Sequence, residues 1–204
     1  MYGEGSERKT LERAMREAGR LPPGQSLTLK WPVLHEGPVP RFHAKTWDFR
    51  VKGLVEKALR LTWDEFMRLP MKEITVDMHC VTRWSRFDVR WEGAPFSEVA
   101  KLAQPKPQAE YVMVLAENGY TTNVPLADLM RPTSLFALKE NGEPLPAEHG
   151  YPMRLVVPNL YAWKSAKWVR GLEFMEKDEP GFWEQNGYNM YGDPFKEQRF
   201  DTDQ

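Results

Sequence analysis

The sequence holds one cysteine, Cys80, in 204 residues. A single thiol cannot build an internal disulfide framework, so nothing in the chain demands an oxidising compartment. No apolar run approaches the roughly 20 residues needed to cross a bilayer. Charges of the two signs nearly cancel, leaving a formal net charge of -1. That balance gives no electrostatic footprint for nucleic acid or for a membrane surface. The first residues, M-Y-G-E-G-S-E-R-K-T, carry no apolar h-region and no twin-arginine signal, so a cytoplasmic location is expected. No pair of Cys or His has zinc spacing, no glycine-rich loop suits a nucleotide phosphate, and no G-x-S-x-G elbow occurs. There is no internal repeat and no low-complexity tract.

Proline and tryptophan are abundant, with 17 and 8 residues. Such a chain breaks into many short elements joined by rigid turns, which argues against a helix bundle. The charged stretch from Glu7 to Ala18 reads as a helix stopped at Gly19. Residues from Leu21 to Pro40 are Pro/Gly-rich and extended, a loop that contains His35. Alternation predicts strands at Trp47–Val51, Ala58–Leu61, Ile74–His79, Phe87–Trp91, Tyr111–Ala116, Leu135–Lys139, Met153–Val157 and Trp168–Phe174. Thr62 and Glu65 have the spacing of a capping box, which starts a helix at Trp63. A helix is expected from Pro95 to Leu102 and a shorter one within Val124–Met130. Asn118-Gly119 and Asn141-Gly142 are turn signals, and Tyr120–Asn123 is a short polar stretch. The sum is one α+β domain of mixed sheets and short helices over residues 31–179. A charged arm precedes it over 1–30. An aromatic tail over 180–204 is too rich in Phe, Trp and Tyr to be disordered and should wrap on the domain.

Two constellations carry chemistry. In the first, Cys80 follows the strand Ile74–His79 and precedes Thr82, Arg83, Ser85 and Arg86. Nearby positive charge favours a thiolate, the form that binds metals or attacks electrophiles. The alternative is a small buried hydrophobe. His79 adjoins Cys80, but neighbours on a strand face opposite ways, so it is poorly placed as a base for a cysteine hydrolase or transferase. In the second, Arg154, Lys164, Ser165 and Lys167 lie near the ends of adjoining elements. They suit an anion cradle, or they solvate a loop.

These motifs resemble, in order, those of the sulfite oxidase-type molybdopterin-binding domain. H-C-V-T-R-W-S and W-E-G come first, then H-G-Y-P-M-R-L-V-V-P, then W-K-S-A-K-W-V, covering about Trp31 to Phe174. Within the family the resemblance points to stand-alone bacterial oxidoreductase subunits, including the one that reduces methionine sulfoxide in proteins. The resemblance implies a molybdenum-molybdopterin (Mo-MPT) cofactor whose metal is ligated by the Cys80 thiolate. Arg154 matches the arginine that holds the pterin phosphate. Ser165, Ala166 and Lys167 match the loop that wraps the cofactor, and His149 a position that touches it. His35 aligns, across a gap, with a pterin-contacting segment. Arg83 is matched to an arginine of the substrate pocket, and His79 joins it as a group that orients substrate. Where sulfite-oxidising members carry an arginine in the N-terminal loop, this sequence reads Val33-Leu34-His35. The implied activity is two-electron oxygen-atom transfer on a small or sulfur-containing substrate. Electrons would pass to or from a separate partner, because the chain has no haem or iron–sulfur motif. A degenerate member, binding without cofactor or catalysis, is the non-enzymatic alternative.

Overall fold

The computed structural model of the chain describes residues 3–203. Two mixed sheets dominate it, and five short helices lie around them. The N-terminal helix α1 (Gly3–Glu17) leads to a two-residue strand β1 (Ser26–Leu27). Then come β2 (Asp48–Gly53), β3 (Leu59–Thr62) and the one-turn helix α2 (Trp63–Phe66). The capping box forms: Glu65 N–H donates to Thr62 Oγ1 (3.3 Å) and Thr62 N–H to Glu65 Oε2 (2.8 Å). Strands β4 (Lys72–His79) and β5 (Trp84–Pro95) precede helix α3 (Phe96–Ala103). The chain continues through β6 (Tyr111–Ala116), β7 (Thr121–Pro125), α4 (Leu126–Leu129), β8 (Leu135–Glu140) and β9 (Glu143–Pro144). It ends with β10 (Arg154–Val156), β11 (Val169–Met175) and α5 (Phe182–Gln185).

The long strand β5 organises the first sheet. It pairs antiparallel with β4 along one edge, and along the other with β1 (parallel) at its start and β8 (antiparallel) at its end. β8 pairs in turn with β10 and β9. The second sheet runs β3-β2-β11-β6-β7, with β2 and β11 parallel and the other pairs antiparallel. Strand periodicity sorts the side chains. Phe136 and Leu155 face the core shared with the second sheet, alongside Phe49, Val114, Leu172 and α3. Their neighbours Leu135, Ala137 and Val156 face a smaller cluster with Ile74, Met78, Val89 and Trp91. The first sheet is therefore buried on both faces, and the functional cavity lies beside its smaller cluster.

Three expectations need correction. The Phe87–Trp91 strand extends to Pro95, because Gly93 continues the ladder across a bulge. A Cβ at Gly93 would collide with the Phe136 carbonyl, so the glycine marks a close approach and not a turn. The polar stretch Tyr120–Asn123 contributes most of strand β7, and the helix expected from Val124 is confined to α4. Its Thr122 and Asn123 are fully buried because the tail and the residues just before it satisfy them: Thr122 Oγ1 donates to Glu184 Oε1 (3.1 Å), and Asn123 Nδ2 to Asp178 Oδ1 (2.6 Å) and Met190 O (3.1 Å). Lys164 belongs to this network and not to an anion cradle. Its Nζ donates to Asn123 O, Asn123 Oδ1 and Met190 O and pairs with Glu184 at 2.6 Å, both side chains fully buried.

Burial lowers the Lys164 pKa while Glu184 opposes the shift, so the ammonium depends on its carboxylate. Neutralising the acid alone, Glu184→Gln, should cost about 3 kcal/mol by leaving a buried charge uncompensated. Urea unfolding measures this, and adding Lys164→Met to the same chain should recover most of the loss.

Candidate functional site

Cys80 sits one residue past β4, at the head of a tight turn. Its N–H donates to Trp84 O (2.9 Å), and the Arg83 N–H returns to Cys80 O (3.0 Å). Parity along β4 turns Met78 and Cys80 to the same side, and both line a cavity of about 370 Å³. His79 faces the other way. Its Nδ1 lies 2.8 Å from Ser85 Oγ, and its ring packs against Phe87 and Phe195. Burial pushes its pKa down to about 4, so it is neutral and remote from the cavity. The Cys80 side chain is buried, which raises its pKa. Thr82 Oγ1, which donates to Sγ at 3.1 Å, and the charges of Lys167 and Arg154 oppose that rise.

Arg154 opens β10 with the parity of Val156, so its guanidinium enters the same cavity. It is buried, and no carboxylate pairs with it among the described residues. Its donors go to three carbonyls: Nε to Leu155 O (3.5 Å), Nη1 to His149 O (3.2 Å) and Nη2 to Ser165 O (2.9 Å). Burial and the nearby Arg86 bring its pKa down to about 10. Lys167 lines the cavity too, its Nζ donating to Leu34 O (2.7 Å) and Glu148 O (2.8 Å). Burial, then Arg154, pushes its pKa down to about 7. Gly150, at φ +118, makes this packing possible: a Cβ there would meet Arg154 Cβ at 2.9 Å and Lys167 Cβ at 3.4 Å.

The cavity thus joins Cys80, Arg154, Lys167, Ser165 and, at its exposed mouth, His35. Ser165 Oγ accepts from Val157 N–H (2.9 Å), which leaves its O–H free to donate, while its carbonyl holds Arg154. Ala166 is buried in the main core, its carbonyl accepting from Leu155 N–H (2.8 Å). His149 lies behind the lining, stacked on the cavity residue Trp31 at 3.7 Å between ring centroids. Arg83 does not line the cavity. Its backbone is left-handed (φ 72), and its guanidinium lies toward Gly24. Sequence reasoning missed the aromatic walls: Trp31, Trp84, Tyr120 and Trp163 from the domain, Trp183 and Tyr188 from the tail. The aromatic density of the tail was the available signal.

Several buried polar atoms on or behind the walls of this cavity have no partner among the described residues, Trp84 being the one whose residue lines it. Trp84 Nε1, Trp91 Nε1 and Arg86 Nη1 are donors, and His149 Nδ1 serves either role. Unpaired donors beside an uncompensated arginine and a lysine fit an anionic, acceptor-rich ligand of phosphate-bearing heterocyclic type. The thiol on the cavity wall adds a soft metal ligand. Among the described residues no group of three or more His, Cys, Asp or Glu could hold a metal ion unaided. No described helix is long and apolar enough to cross a membrane.

Residues 36–183 match the family model of the oxidoreductase molybdopterin binding domain. The chain is 48% identical over 188 residues to the uncharacterized oxidoreductase YuiH of Bacillus subtilis (strain 168), covering 92% of this chain and 95% of that one. It is 31% identical over 169 residues to the protein-methionine-sulfoxide reductase catalytic subunit MsrP of Gluconobacter oxydans (strain 621H), covering 74% of this chain and 54% of that one. This chain therefore spans about half the length of that reductase subunit. Among solved structures it is similar to the sulfane dehydrogenase SoxCD from Paracoccus pantotrophus, with a TM-score of 0.62 and 25% identity, over 68% of this chain and 40% of that one. The α+β architecture expected from the sequence is the one observed.

Lys167 gives the site a pH signature in the cofactor-free protein. Its folded pKa lies below that of the unfolded chain, so unfolding takes up a proton between about pH 7 and about pH 10.5. The penalty for burying the charge is fully present below that window and is relieved as pH rises through it. Unfolding free energy should therefore climb from about pH 7 to about pH 10 by more in the wild type than in Lys167→Met, as read by urea titration at both pH values.

Proposed function

Since this chain belongs to the oxidoreductase molybdopterin-binding domain family, we propose that its cavity holds molybdenum-molybdopterin with Cys80 as the protein ligand to the metal. The chain is an oxidoreductase of this family. The observation that carries the proposal is one cavity lined both by a buried thiol and by an arginine and a lysine with no carboxylate partner among the described residues.

When bound, the cofactor supplies two-electron redox chemistry with oxygen-atom transfer to or from the substrate. The protein supplies placement and electrostatics. Arg154, held by three carbonyls, presents its remaining donors to the pterin phosphate, and Lys167 adds a point charge beside it. An anion there returns both pKa values toward normal, so binding and ionisation reinforce each other. Trp84, on the cavity wall, offers its unpaired Nε1–H to an acceptor atom of the ring system. Thr82 donates to the sulfur and favours the thiolate. Trp163, Trp183 and Tyr188 exclude water from the walls.

The substrate is small or sulfur-containing, by likeness to relatives named for sulfoxide reduction and sulfane oxidation. Arg83 has its backbone in the turn beside Cys80 but its side chain outside the lining, so substrate orientation falls to other groups. Thr82, 3.1 Å from the sulfur, and the aromatic walls line the cavity and take that role in this reading. Electrons pass through a separate carrier, since one cysteine cannot hold an iron–sulfur cluster.

Elemental analysis of protein made in a host that synthesises the pterin should find close to one molybdenum per chain. Cys80→Ser should shift the metal's spectra, and Arg154→Met should lower cofactor content about tenfold or more. An absence of molybdenum, in a host that loads a control molybdoenzyme, defeats the proposal.

A further inference from the structure

We propose that two residues outside the matched family region, Gln25 and Arg199, are positioning residues that pin the Cys80 turn from behind. The inference rests on Cys80 being the metal ligand.

The turn from Cys80 to Trp84 has little to hold it by itself. It is closed by two backbone hydrogen bonds and carries Arg83 in the left-handed region at φ 72. A non-glycine residue there persists only when its surroundings impose it. The surroundings are one backbone bond from β1, Ser26 N–H to Arg83 O (3.0 Å), and two buried side chains from the flanks. Gln25 Nε2 donates to the Cys80 carbonyl at 3.0 Å. Arg199 Nη1 donates to the Val81 carbonyl at 2.8 Å. Gln25 is 3% exposed and Arg199 4%, so water does not compete for either bond.

Both pins are themselves oriented. The Ser85 hydroxyl donates to Gln25 Oε1 (3.3 Å), which aims the amide nitrogen of Gln25 at Cys80, and Ser85 Oγ lies 2.8 Å from His79 Nδ1. This gives the buried His79 a role as a prop in the chain His79–Ser85–Gln25–Cys80. The Arg199 guanidinium lies 4.9 Å over the Tyr161 ring and reaches Pro23 O at 3.4 Å. Its backbone is tied by its N–H to Asp203 Oδ2 (3.0 Å) and by its carbonyl to the Asn189 N–H (3.1 Å). Arm and tail meet here: a Cβ on Gly24 (φ +66) would lie 3.3 Å from Arg199 Nη2. The family match spans residues 36–183, so the domain itself supplies neither pin.

The experiment compares Gln25→Met, Arg199→Met and the conservative Arg199→Lys with a core variant, Val112→Ala, of matched stability. In cofactor-free protein, iodoacetamide should alkylate Cys80 about tenfold faster in both Met variants than in the core variant. Arg199→Lys should fall back toward wild type. In loaded protein, the g-values of the molybdenum paramagnetic resonance signal should shift in the Met variants and stay fixed in Val112→Ala. If Arg199→Met fails to fold, Gln25→Met decides by the same readouts. Either readout at the control value in the Met variants overturns the proposal. Should the wild type carry no molybdenum, the metal-ligand reading fails by itself, while the alkylation rates still report whether the turn is pinned.

Discussion

A buried arginine without a carboxylate is the constraint on which the site depends. Arg154 has left water, and its three protein acceptors are neutral carbonyls. Carbonyl dipoles offset part of the desolvation penalty, and the depressed pKa records what is left. The neighbours make this worse. Lys167 adds a second cation, while Arg86 is itself matched by Glu140 at 2.5 Å and brings no spare negative charge. A fold keeps such an arrangement at a cost in stability, which an anion entering the cavity would offset. The surrounding architecture serves this end. Gly150 leaves room for Arg154 and Lys167 to approach each other, Lys167 ties the N-terminal loop to the turn around Glu148, and the Ser165 turn presents its carbonyl to the guanidinium.

Strand parity decides which groups can join that site. The i, i+2 rule sends Met78 and Cys80 into the cavity and His79 into the sheet's far side, where its pKa near 4 keeps it uncharged. A cysteine–histidine pair of hydrolytic type is thereby unavailable from adjacent residues. The same rule brings Arg154 in with Val156 while Leu155 packs into the main core. The thiol and the guanidinium come from two strands that do not pair directly, each joined to the sheet through β5 or β8. Their convergence is a property of the sheet and is invisible in sequence spacing.

Legibility followed the range of the interaction. The capping box at Thr62, the Asn141-Gly142 hairpin, the strand at Tyr111–Ala116 and the helix after Pro95 are local, and they stand where local rules put them. Strand β7 was missed because Thr122 and Asn123 are polar yet fully buried, a state made possible by Glu184 and Asp178, some 60 residues away. Lys164 deceived for the same reason, since its partner Glu184 lies in the tail. Cys80, Arg154, Lys167 and His35 were placed together by motif order, and the structure gives them one cavity. Nothing in the local pattern indicates which way the Arg83 side chain leaves its turn. That direction is set by a left-handed backbone and by the arm and tail packed behind it.

The tail is part of the site and not an appendage to it. Trp183 and Tyr188 wall the cavity, stacked on each other at 4.9 Å, with Tyr188 edge-on to Trp163. Glu184 fixes Trp163 and Lys164, the two residues that precede Ser165. The arm is likewise built in: β1 extends the first sheet beside Trp84, and Arg8 and Glu12 of α1 satisfy its exposed edge through Leu27. Residues 36–183 number 148, yet the likeness to YuiH runs over 188. It must therefore include flanking sequence, as it should if arm, domain and tail fold as one unit. A domain cut at the limits of the family match would lose Glu184, the counter-ion of Lys164, the aromatic walls Trp31 and Tyr188, and both side chains bonded to the Cys80 turn, Gln25 and Arg199. The side-chain contacts that hold the Cys80 turn therefore reach from Gln25 in the arm to Arg199 in the tail.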